Sequence, residues 1–320
     1  MTKSNSEAED NIFHYTSNEG AIGIIKSKCM FASHWRYLND SLELNIARDI
    51  VVPIFESEFR KVGSKLIEEG KLDREFLIAF GDRVYKDEAE ELYDIALRQT
   101  DNASPIFIAS FCRHKPDSEQ ATDGLLSQWR GYGSSGGCAF EFSRDKLQKL
   151  IEWERESYAY THVNLFDVVY TDHHKIIDLN YIEGIASDLL LNRANDSSST
   201  REKLEKRLEG LYMAVAFLAP QMKNSYFREE QEVRIVAPLM RNTLASRISQ
   251  KATREVHTRF RDGQPIPFIK VFEGAEGLPI KRVIVGPQQD QERVAYALEL
   301  ALEAQGLAVE IVRSQISYRP

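Results

Sequence analysis

Two spacings of apolar residues alternate along the chain. Short apolar or alternating runs predict strands at residues 12–15, 30–33, 106–112, 138–142, 166–170, 232–236, 256–260, 267–272, 282–285 and 309–312. Between them, apolar residues fall three and four apart and predict helices. A short one covers about 20–27. Two long ones cover 41–69 (Ile46, Ile50, Val51, Ile54, Phe55) and 74–98 (Phe76, Phe80, Val84, Leu92, Ile95). Others are predicted at 122–131, 176–193, 200–224 and 290–305, with a polar linker at 195–199 and a loose acidic tail at 1–10. No repeat or low-complexity tract interrupts this order. Strands at both ends with helices between them predict an α+β fold. The expected layout is one domain over 1–320, with helical insertions at about 41–100 and 175–225.

Composition narrows the function classes. A net charge of −8 argues against a generally basic surface that binds nucleic acid by neutralising phosphates. Cys29, Cys112 and Cys138 are few, odd in number and far apart, which disfavours a disulfide framework and a structural zinc site. The first ten residues lack the basic start and apolar stretch of a signal peptide, and no window approaches eighteen apolar residues. A cytoplasmic protein with no membrane association is the expectation.

Four segments carry candidate chemistry. His14-Tyr15-Thr16 ends the first predicted strand. A histidine there can donate one ring proton to a ribose hydroxyl while the backbone holds the other nitrogen, or it can be a plain structural histidine. Asn39-Asp40, with Glu43 three residues later, fits either a helix cap or a ligand cleft. In Ser127 through Gly133, Trp129 and Tyr132 are three apart and share a helix face. They either sandwich a flat heterocycle or pack in the core. The glycines that follow match neither the dinucleotide fingerprint nor the P-loop pattern.

The most informative segment is Phe227 through Val236. Read as a strand, it points Glu230, Glu232 and Arg234 to one side, while Ile235-Val236 suggests burial. Buried acids need partners or a task. No metalloprotease helix and no serine-nucleophile elbow is present, and the adjacent His173 and His174 would face opposite ways.

In this order the segments resemble a bacterial family catalogued as a domain of unknown function (DUF2971-like), found among abortive-infection and phage-defence genes. The matching pieces are His14-Tyr15-Thr16, Leu38 through Glu43, Trp129 through Phe142, Lys223 through Arg234, and Val283 through Pro287. That family is similar to ADP-ribosyltransferases of the His-Tyr-Glu type. The resemblance implies a split β-sheet core and NAD as substrate. It implies His14 as ribose ligand, Tyr132 or Trp129 as the ring stacked on nicotinamide, and Glu232, with Glu230, as catalytic acid. Tyr15, Thr16, Asn39, Asp40 and Arg234 would complete the NAD site. It also implies a macromolecular acceptor, protein or nucleic acid, and a neutralising antitoxin partner. On this reading Glu232→Gln abolishes turnover and leaves folding intact. Two other readings compete. Asp40, Glu43, Glu230 and Glu232 are hard oxygen ligands able to gather a divalent metal for a nuclease, and the Trp129–Tyr132 cleft would suit a non-enzymatic nucleotide or phage sensor.

Overall fold

The computed structural model describes residues 10–38, 43–81, 83–133, 136–170, 179–195, 219–261 and 263–317. Among them the chain is α+β around an open, mixed sheet of ten strands. Contacts divide it into two units. One comprises residues 1–37, 107–168 and 226–320; the other comprises 38–106 and 169–225.

The first unit opens with β1 (Asn11–Ser17), α1 (Asn18–Ser27) and β2 (Met30–His34). Ser17 caps α1 by accepting from Gly20 N–H, and Lys28 ends it in the left-handed region. β3 (Ile106–Arg113) follows the second unit's helices, and then come the short α5 (Glu119–Asp123) and α6 (Leu126–Tyr132). β4 (Gly137–Ser143), α7 (Arg144–Ser157) and β5 (Asn164–Asp167) complete this stretch. After the second insertion come β6 (Glu232–Pro238), α9 (Asn242–Ile248), β7 (His257–Arg261), β8 (Gln264–Val271), β9 (Ile280–Val285), α10 (Gln291–Glu303) and β10 (Glu310–Arg313).

The strands run in the order β10-β9-β4-β1-β3-β2-β8-β7, with β6 joined to β3 and β5 joined to β6. Alternation sorts their side chains onto two faces. Phe107, Ala109, Phe111, Phe140, Phe142, Val233, Ile235, Ile269 and Val283 form the larger core with α1, α7 and α10. Phe13, Tyr15, Cys112, Trp129, Ala139 and Ile284 form a smaller cluster on the reverse face.

The second unit is helical. It holds α2 (Glu43–Glu68), α3 (Arg74–Phe80), α4 (Val84–Ala103) and α8 (Leu179–Asn195). The 74–98 stretch, predicted as one helix, is two, because Gly81 takes φ 68° and breaks the ladder. Two helices were not predicted. In α7 a short stripe of Leu147, Leu150 and Ile151 faces the core and ends at the buried Glu154, a signal the sequence reading passed over, while α9 buries only Ala245. No described helix is long and apolar enough to cross a membrane.

Candidate functional site

The sheet is incompletely paired around β3. β1 meets β3 at Ile12↔Arg113 and Phe13↔Cys112. β2 meets it at Ser33↔Ile108 and His34↔Phe107. Residues 109–111 fall between these two contacts. The His14 ring enters that interval, with Nδ1 2.8 Å from Ser110 O and its centroid 5.6 Å from that of Phe111. A carbonyl oxygen only accepts, so Nδ1 carries the proton. Burial pulls the His14 pKa down to about 4, and the Arg259 charge pushes the same way against the Ser110 bond. The ring is therefore neutral at pH 7. Nε2 keeps its lone pair and has no hydrogen-bond partner among the described residues. Sequence reasoning had this histidine donating to a ribose hydroxyl; the tautomer makes it an acceptor instead.

The neighbours of His14 diverge. Tyr15 points to the reverse face, where its oxygen accepts from Leu125 N–H and lies 2.8 Å from His114 Nε2. Its ring packs edge-on to Trp129, with centroids 4.7 Å apart. Tyr15 is 4% exposed and Trp129 1%, and the Trp129 indole N–H donates to Asp123 O. Both were predicted to contact NAD; the structure makes them packing groups. Two glycines serve the same knot. A Cβ on Gly286 would lie 2.7 Å from Trp129 Cε3, and one on Gly124 would enter the same ring. Gly286 N–H also donates to Gly137 O, tying the ends of β9 and β4 together. Trp129 and Tyr132 do not form a sandwich: Tyr132 is 39% exposed while Trp129 is sealed. Thr16 packs tightly on the first turn of α1, where a Cβ at Gly20 would collide with its Oγ1.

Glu232 and Arg234 share one face of β6, as alternation predicted. Arg234 Nε donates to Glu232 Oε1 at 2.7 Å and Nη2 to Oε2 at 2.9 Å, and the two residues are 1% and 4% exposed respectively. Glu230 does not join them. It ends a 3-10 turn (Ser225–Glu230), and Gln231 at φ 43° breaks the alternation before the strand begins. Gln231 O accepts from Arg113 N–H, so the carboxylate strand starts beside the same end of β3 that faces Ile12.

Ser33 and Phe268 alternate with the core residues Ala32 and Ile269, and Glu232 and Arg234 alternate with Val233 and Ile235. These side chains thus lie on the face turned away from the larger core. His14 alternates onto the core side, with Ile12.

A second buried acid shows what a structural pair looks like. Glu154 accepts from Arg254 at 2.7 and 2.6 Å, from Tyr160 O–H and from Phe272 N–H, which satisfies both oxygens. Their separation of 100 residues hid this cluster from sequence reasoning. Burial drives the Cys138 thiol up to about 12 and raises that of Cys29, so neither is a nucleophile. Asn39, Asp40, His173 and His174 lie outside the described residues, as does the Glu43 side chain. Among the described residues no group of three or more His, Cys, Asp or Glu side chains is set to hold a metal.

The class these features define is an α+β protein whose mixed sheet carries a half-buried, neutral histidine on the side of its larger core and a buried Glu–Arg pair on the opposite face. Residues 128–235, from α6 to β6, match the family model described as "Protein of unknown function (DUF2971)". No curated protein and no solved structure matches the chain.

Proposed function

We propose that this protein binds NAD and transfers its ADP-ribose to a macromolecular acceptor, protein or nucleic acid, as a toxin or effector in phage defence. The observation that carries the reading is His14: a neutral imidazole held by Ser110 in the interval between two strand contacts, with Nε2 free to accept from a hydroxyl. A ribose offers such hydroxyls. The resemblance of the ordered motifs to ADP-ribosyltransferases supports the same assignment, and an interrupted sheet is the kind of core that resemblance implies.

In this scheme the nicotinamide–ribose C–N bond breaks and its electron pair leaves with nicotinamide. Positive charge develops on the ribose, as in glycoside hydrolysis. Glu232 is assigned the stabilisation of that charge through the 2′-hydroxyl, which requires the ribose to reach past the β3 edge from the His14 side to the opposite face; Arg234 fixes the orientation of its carboxylate. The acceptor then bonds to the anomeric carbon and releases its proton to a carboxylate or to water. Tyr132, the more exposed of the two candidate rings, is assigned to the nicotinamide. Incubation with labelled NAD and cell lysate, followed by separate protease and nuclease digestion, tests the reading and identifies the acceptor class.

One observation favours a second reading, a nucleotide sensor without turnover. Glu232 is sealed and fully engaged by Arg234, which suits a structural pair as well as a catalytic acid. Nucleotide binding without nicotinamide release would select it.

A further inference from the structure

β7 carries His257, Arg259 and Arg261 on alternate positions of its five residues. The His257 ring lies 5.4 Å from that of Phe268, and Arg261 donates to Tyr37 O. Arg259 differs from the other buried arginines. Arg234 closes on Glu232 and Arg254 closes on Glu154, each through two nitrogens. Arg259 is half-buried, lies over the Phe268 ring at 5.5 Å and donates Nη2–H to Ser33 Oγ at 2.9 Å. Among the described residues no carboxylate reaches ion-pair distance of it. Glu19 acts on it electrostatically from farther off, less strongly than burial and the Arg261 charge, which both oppose its protonation. A guanidinium withdrawn from water normally has an acid or an anionic ligand. Its planar fork retains donors beyond the one given to Ser33, and such a fork matches phosphate oxygens in pairs.

From this geometry we infer that Arg259, backed by Ser33 and floored by Phe268, is a phosphate subsite for a nucleotide. This deepens and rests on the proposed NAD reading, because NAD carries two phosphates. The shared chemistry is a phosphate ester next to a sugar, so ADP and NAD are both ligands on this account.

Titration calorimetry on the full chain tests it with ADP, inorganic pyrophosphate and the phosphate-free nicotinamide riboside as probes. ADP and pyrophosphate are expected to bind the wild type and to weaken tenfold or more in Arg259→Gln, with nicotinamide riboside unchanged. Arg259→Lys keeps the charge and loses the fork; a several-fold loss is expected there, and this variant is decisive if the glutamine form fails to fold. Equal ADP affinity in wild type and variants, or no phosphate-dependent binding to the wild type, overturns the assignment. A parallel NAD assay separates the two claims. Arg259-dependent ADP binding without NAD cleavage keeps the subsite and removes the transferase reading. NAD cleavage with KM unchanged in Arg259→Gln does the reverse.

Discussion

Arg234 grips Glu232 through two nitrogens, at 2.7 and 2.9 Å, from two residues along the same strand. Breaking a buried pair leaves the surviving charge without compensation, at a cost of roughly 3–5 kcal/mol. The expectation that Glu232→Gln leaves folding intact is therefore corrected: the variant should lose about 3 kcal/mol of stability, measured by urea unfolding, as well as transfer activity. Replacing both partners by leucine should be more stable than either single charge removal, and on the proposed mechanism still inactive. A Glu232→Gln protein as stable as the wild type would show that Arg234 has found another partner.

Acid should weaken the fold before the carboxylates titrate. Burial holds His14, His114 and His162 each at about 4, below the ordinary value of 6.5. The folded state resists a proton that the unfolded chain accepts, so stability is full above 6.5, declines as pH falls, and levels off for these groups below about 4. Each contributes on the order of 1–3 kcal/mol to that decline. Unfolding midpoints across this range check it, and a His114→Gln variant should show a shallower slope.

The Trp129 knot predicts a steric effect. Gly286→Ala places a methyl 2.7 Å from a ring that has no room to move, between Tyr15 and Gly124. Overpacking of this kind costs about 1–3 kcal/mol. The change should lower the melting temperature and shift tryptophan fluorescence, while nucleotide affinity stays near wild type. A drop in nucleotide affinity at unchanged stability would return Trp129 to the binding site.

Much of the strand framework was legible because short apolar or alternating runs bounded by polar turns mark strands. Residues 138–142, 232–236 and 282–285 each lie within β4, β6 and β9. The pairing of Glu232 with Arg234 followed from the same rule. What local pattern cannot carry is tertiary space. The three-residue spacing of Trp129 and Tyr132 gave no sign that Gly124 and Gly286 cradle one ring and leave the other exposed. The left-handed Gln231 that separates Glu230 from the strand had no glycine to mark it. The alternating cations His257, Arg259 and Arg261 were a readable signal for a charged strand face, yet only packing shows that Arg259 is the arginine withdrawn from water without an acid.

His14 is the residue on which the functional account turns, and nicotinamide release from NAD, followed by chromatography with wild type and His14→Ala side by side in the presence of lysate, tests it directly. The account predicts release by the wild type and a loss of at least a hundredfold in the variant, with unfolding midpoints showing both proteins folded. No release by the wild type, or equal release by both, contradicts it.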